Sequence, residues 1–278
     1  MSPDKRITDD FSESVRLEKM NISGMNDTAI SFSDLRIVRI DSLGGERNFS
    51  WIINGLEYRP DKGDILLFSC IDLRLPVVSK TPSDVRITVL NLSRGLFFDD
   101  PEYIGLFYSD KPEHKLIKAG TIPPAEREFA AAENELTRPD GIRKAAVFHA
   151  KLLLIELCRA LCTDSDFRSP HIGEITSYIC RNFTKRISIT DTAREIGVSV
   201  SLLSKEMNRD LGVSFPEYVR RLRVNNVLSL LSGRKMNVTE AAFASGFSSM
   251  QGFYRAFHEI TGKSPREMLK SGEKSSDR

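Results

Sequence analysis

The 278 residues suffice for two domains, and a composition that is 40% hydrophobic and 28% charged is that of a globular protein, not a disordered or fibrous one. The net charge of +2 hides a division: residues 171–278 hold 17 Lys+Arg and 11 Asp+Glu, which leaves residues 1–170 with 23 and 27. A basic C-terminal part confines any polyanion to that part, and apolar runs no longer than Leu152–Ile155 exclude a helical membrane span.

In chain order, residues 1–30 are polar and aperiodic and read as a flexible arm; without the apolar core of a secretory signal, they place the chain in the cytoplasm. Residues 31–163 read as a β-rich domain completed by helices. "DLRIVRI" alternates as a half-buried strand does, and "NFSWIINGLEYRP" reads as two short strands about an Asn54-Gly55 turn. "RPDKGDILLFSC" is a turn leading into an apolar strand, and "DVRITVLNLS" is another. Strands so closely spaced predict a small sandwich or barrel. Its apolar residues Trp51, Ile53, Leu67 and Phe68 are the candidate lining of a pocket for a small organic effector. Asp99, Asp100 and Glu102 read as a solvated acidic loop.

After Pro123-Pro124 two helices follow, in "AEREFAAAENEL" and "GIRKAAVFHAKLLLIELCRAL". The second is apolar around much of its circumference, which fits a central core helix or a homodimer contact. Residues 164–170, in the polar stretch "CTDSDFRSPH", are the expected linker. Cys70, Cys158, Cys162 and Cys180 lack C-x-x-C spacing and read as free thiols. None of His114, His149, His171 and His258 lies in the strand-rich segment 31–93, where a barrel enzyme would hold a metal. With no phosphate loop or nucleophile motif either, no catalytic residue, metal or cofactor is expected.

Beyond the linker the chain reads as short helices, and it repeats itself. "SITDTAREIGVS" (188–199) and "NVTEAAFASGFS" (237–248) share Thr190/Thr239, Ala193/Ala242, Gly197/Gly246 and Ser199/Ser248 at an offset of 49. With one residue inserted, Lys205 falls on Arg255 and Met207 on Phe257. Each copy begins with an N-cap residue, Ser188 or Asn237, that has an acid three positions on. A small alanine then lets a second helix cross closely, a glycine makes the turn, and a serine caps the next helix. That is helix-turn-helix grammar, in which the second helix enters the DNA major groove. In that second helix Gln251 and Arg255 share one face, while Phe253 and Phe257 share another. Between the copies "SFPEYVRRLRVNNVLSLL" reads as a continuous helix carrying Arg220, Arg221 and Arg223. It would hold two reading helices about 34 Å apart, one DNA turn.

Residues 171–270, with "GFSSMQGFYRAFHEITGKSP" and "GVSVSLLSKEMNRDLGVSFPEYVRRLRV", resemble the DNA-binding domain of the AraC/XylS family of bacterial transcription regulators. The β-rich part resembles, more loosely, that family's cupin-like regulatory domain. The resemblance implies an α+β chain: a cupin-like domain with dimerisation helices, then a double helix-turn-helix domain and a polar tail over 271–278. It implies an activator that binds double-stranded DNA as a homodimer and contacts RNA polymerase. Base-reading positions fall on Ser201, Ser204 and Lys205 in the first unit and on Met250, Gln251 and Arg255 in the second. Backbone contacts fall to Ser199 and Ser248, with Arg220 and Arg221 as phosphate partners. Lys205, Glu206 and Met207 depart from the family pattern, and Gly252 weakens its helix by up to about 1 kcal/mol. Two alternatives remain open: a regulator governed by a partner protein without a small ligand, and a metal-free cupin-like enzyme fused to a DNA reader.

Overall fold

The computed structural model describes residues 15–22, 35–44, 49–72, 74–77, 85–93, 101–108, 111–162, 169–232 and 236–267. The tail 271–278, Asp99-Asp100 and most of the linker 164–170 lie outside them. The strands in chain order are β1 (Val15–Ile22), β2 (Leu35–Leu43), β3 (Ser50–Ile53), β4 (Leu56–Tyr58), β5 (Ile65–Phe68), β6 (Arg74–Val77), β7 (Val85–Leu92) and β8 (Leu116–Ile117). They pair antiparallel in two sheets, one ordered β1-β7-β2-β5-β8 and the other β4-β3-β6. Asn54 (φ 51°) and Gly55 (φ 89°) make the tight turn between β3 and β4. Part of the expected arm is strand: β1 pairs with β7 along all 8 residues. Only its ends, Val15 and Ile22, are buried, so "VRLEKMNI" carries no clean alternation.

The larger sheet is buried on both faces, and period-two alternation sorts its side chains. Val38, Ile40, Leu66, Phe68, Ile87 and Val89 meet Phe49, Trp51, Ile53 and Tyr58 between the sheets. Leu35, Ile37, Ile65, Leu67, Leu90 and Leu92 point the other way, into a core shared with helices. Leu67 therefore parts company with Trp51, Ile53 and Phe68. The four cannot line one pocket, because adjacent residues of a strand face opposite ways.

The helices are α1 (Pro101–Tyr108), α2 (Pro112–Lys115), α3 (Pro123–Thr137), α4 (Arg143–Leu161), α5 (Ile172–Asn182), α6 (Ile189–Ile196), α7 (Val200–Leu211), α8 (Phe215–Ser232), α9 (Val238–Ala244) and α10 (Met250–Thr261). The stretch at Glu102, expected as a loop, is thus helical from Pro101. In α4, Ala146, Val147, Ala150, Leu153, Leu154 and Leu157 are buried. Phe148, Leu152 and Ile155 form an outward stripe, 57%, 44% and 38% exposed. No helix among the described residues is long and apolar enough to cross a membrane.

The helix-side core does not stop at the linker. It runs from the sheet through Tyr103, Leu106, Phe107 and Tyr108 of α1 to Ile175 and Ile179 of α5, Leu203 and Met207 of α7, and Phe215, Tyr218 and Leu222 of α8. A separate core joins Val224, Val227 and Leu231 of α8 to Ala241, Ala242, Phe247, Phe253 and Phe257. One helix, α8, therefore serves two cores, its first half on one and its second half on the other. Asn225 Nδ2, at the crossover, donates to the backbone carbonyl of Cys70 at 2.9 Å. Beside it Asp72 and Lys115 form a buried ion pair at 2.8 Å, with Asn54 Nδ2 donating to Asp72 at 2.7 Å.

Candidate nucleic-acid interface

Each helix pair is built from its caps. Ser188 Oγ accepts from the Asp191 amide at 3.1 Å and starts α6; Asn237 and Glu240 exchange bonds in a capping box and start α9. Gly197 (φ 77°) and Gly246 (φ 90°) make the turns in left-handed backbone. Ser199 Oγ then accepts from the Leu202 amide at 3.1 Å and starts α7. In the second unit the cap is Ser249, not Ser248: Ser249 Oγ accepts from the Gly252 amide at 3.2 Å. Ser248 lies one residue before it and is exposed.

With Ser249 as cap, α7 and α10 match residue for residue. Both have 12 residues, and Gly212 (φ 67°) and Gly262 (φ 69°) end them in left-handed backbone. Ser201 then pairs with Gln251, Ser204 with Tyr254, and Lys205 with Arg255. Tyr254 is not among the base-reading positions that the resemblance implies, although the offset of 50 that pairs Lys205 with Arg255 also pairs it with Ser204. Ser201, Lys205, Gln251, Tyr254 and Arg255 are exposed; Ser204 and Met250 are half-buried, Met250 against the second core. On the opposite faces Leu203, Met207, Phe253 and Phe257 are fully buried. Phe253 meets Phe247 and Phe257 edge-on at 5.3 and 5.5 Å between centroids, which fixes the rotation of α10 about its axis. Glu206, at a position apolar in the family pattern, is buried and bonds to His171 Nδ1 at 3.1 Å.

The arginines of α8 have different employments. Arg220 Nη2 and Arg221 Nε reach the two oxygens of Glu217 at 2.7 and 2.8 Å. Burial pushes the Glu217 carboxyl up, but the Arg221 and Arg220 guanidiniums outweigh it and hold the group below its usual range. Arg223 instead donates to the Phe183 and Lys185 carbonyls at 2.8 and 2.9 Å. The same loop presses on the second unit: a Cβ at Gly246 would lie 2.6 Å from the Thr184 carbonyl oxygen. Arg223 and Gly246 thus fix one unit against the other.

A helix-turn-helix domain family model matches residues 192–271. The melibiose operon regulatory protein of Escherichia coli (strain K12) is 23% identical over 236 residues, covering 79% of this chain and 77% of that one. Residues 192–271 therefore carry a helix-turn-helix domain. Solved structures of ToxT from Vibrio cholerae share its fold: one has a TM-score of 0.57 at 16% identity, over 94% of this chain and 99% of that one. Another, of unsaturated fatty acid bound wild-type ToxT, has a TM-score of 0.56 at 15% identity, over 96% of this chain and 98% of that one. The protein has a sheet-rich N-terminal domain and a helical C-terminal domain with helix-turn-helix units.

Proposed function

We propose that this protein is an AraC-family activator that reads two successive major grooves with α7 and α10. The observation that carries this reading is the pair of recognition helices, equal in length and cap chemistry, fixed to one connecting helix. A duplex repeats every ~34 Å, and only a rigid connection lets two reading helices enter adjacent turns on one face. Ser201, Ser204 and Lys205 face bases in one groove; Met250, Gln251 and Arg255 face them in the other. Arg255 suits guanine and Gln251 adenine, through paired hydrogen bonds. Ser199 caps α7 and Ser248 precedes the cap of α10 by one residue, both beside backbone amides that receive phosphates, and Arg220 and Arg221 add phosphate contacts.

In the same reading the N-terminal domain is cupin-like and pairs with a second copy through the outward stripe of α4. Phe148, Leu152 and Ile155 recur one and two turns apart and gain from being covered. A small effector binds between the sheets near Trp51, Ile53 and Phe68, and the bound protein contacts RNA polymerase. The unsaturated fatty acid bound in one ToxT structure supports a small ligand. Control by a partner protein is favoured instead by the edge-on contacts of Trp51 with Phe49 and Phe68, both at 5.3 Å, which occupy that space.

Genome-wide footprinting with the full chain tests the central claim. Protection is expected over two adjacent major grooves on one face of each site. Protection of a single groove, or none, overturns the reading.

A further inference from the structure

Most large apolar side chains left exposed among the described residues fall in two places: the region of α4, and the recognition helices. On the latter they are Val200 at 39%, Leu202 at 37% and Tyr254 at 49% exposed. Tyr254 stands between the proposed base-readers Gln251 and Arg255, where α7 carries only Ser204. Its ring rests on Phe253 at 5.2 Å between centroids, and Phe253 is fully buried, so the ring projects from a fixed base. Val200 lies one turn before Ser204, on the same side of α7, whereas Leu202 faces away from it.

Such side chains gain from being covered when a partner surface docks on the helices. The major groove is a row of hydrogen-bonding groups with one apolar feature, the C5 methyl of thymine. We infer that Tyr254 reads a thymine methyl in the groove entered by α10, and that Val200 reads one in the groove entered by α7. This rests on the two-groove reading above and adds to it the kind of base selected. The tyrosine acts through the flank of its ring, so its hydroxyl is dispensable. The first unit, with one cation and two small hydroxyls facing the groove, draws a correspondingly larger part of its selectivity from Val200.

The test removes the methyl and nothing else. The full chain selects sites from a pool of random duplexes, and each thymine of a selected site is then replaced singly by uracil. At one position in each groove, uracil should weaken binding about fourfold, the size expected for one buried methyl. Tyr254→Ala should abolish the thymine–uracil difference at one of these positions and leave the other intact. Tyr254→Phe should retain both, and Val200→Ala should give the converse of Tyr254→Ala. Both positions are exposed, so unchanged melting temperatures of the three variants are the control. A wild-type protein indifferent to every replacement overturns the inference while the two-groove reading stands. So does a Tyr254→Phe variant that loses discrimination, since the contact would then belong to the hydroxyl. A pool that yields no enriched site overturns the groove reading itself.

Discussion

The phenol oxygens of Tyr108 and Tyr218 lie 2.8 Å apart, the first on α1 of the N-terminal domain and the second on the helix that joins the two helix-turn-helix units. Cys70 Sγ completes the cluster at 2.9 Å from Tyr108 Oη and 3.4 Å from Tyr218 Oη. Two turns further along α8, Asn225 reaches the Cys70 carbonyl. Tyr218 and Asn225 are buried, so these bonds replace water that neither group can reach. The first reading unit and the N-terminal domain therefore form one body.

Breaking that junction has a graded cost. Asn225→Ala strands the carbonyl of Cys70 and should lower stability by about 1–3 kcal/mol. Tyr218→Ala also opens a cavity in the shared core and should cost about 3–5 kcal/mol. Urea unfolding of the full chain measures both. Midpoints unchanged from wild type would show that the domains part before they unfold.

Acid should weaken the same region. Burial pushes the Asp72 carboxyl up, but Lys115 and the bonds from Ser69 and Asn54 prevail and hold it below its usual 3.8. A depressed carboxyl stabilises the fold above its unfolded value, and that contribution is lost as pH falls through the folded value. Stability should therefore decline below about pH 4. Asp72→Asn leaves Lys115 buried without its counter-charge, costs about 3–5 kcal/mol at neutral pH, and should flatten the acid decline. Parallel stability–pH curves for variant and wild type would contradict the assignment.

The two turn glycines should respond differently to alanine. A Cβ at Gly197 meets nothing within 4 Å, so Gly197→Ala carries only the strain of left-handed backbone, about 1 kcal/mol. Gly246→Ala adds the collision with Thr184 and should cost more than twice as much by thermal melting. Equal shifts would mean that the loop at 183–185 yields freely.

On α10, Arg255→Ala should cost about 1–3 kcal/mol on a selected site and relax preference at one base pair. Arg220→Ala should weaken binding on every sequence and flatten the salt slope by about one unit. Phe257→Ala should lose about 3–5 kcal/mol of stability, with binding lost through unfolding of the second unit. Competition with scrambled DNA separates the three, and an Arg255→Ala protein with full discrimination would sink the base-reading role.

A charge in the α4 stripe should split the proposed homodimer. Leu152→Glu places a carboxylate where the second copy would cover it, and light scattering of the full chain should report half the mass. A wild-type protein that is already monomeric at high concentration removes the dimer.

The helix-turn-helix units were legible in the sequence because their determinants are local: a cap, an acid three residues on, a glycine, and aromatics four apart. The one-residue error at Ser248 arose because two adjacent serines can each cap a helix, and only backbone geometry selects Ser249. β1 escaped notice because its middle is not buried, and α1 because it follows an acidic pair. Leu67 was grouped with Phe68 by hydropathy, which does not record that neighbours on a strand face apart. Least legible was the junction, since Tyr108 and Tyr218, or Cys70 and Asn225, are joined by no pattern short enough to be seen along the chain.

The shared core also orders events during synthesis. When α7 and the first half of α8 leave the ribosome, the surfaces that will bury Met207 and Tyr218 are already made, since α1 and the sheet precede them by about a hundred residues. The N-terminal domain can thus serve as the template on which the first reading helix settles. Among the described residues the core of the second unit is drawn from α8 onward, and it closes over Phe253 and Phe257 from residues made later.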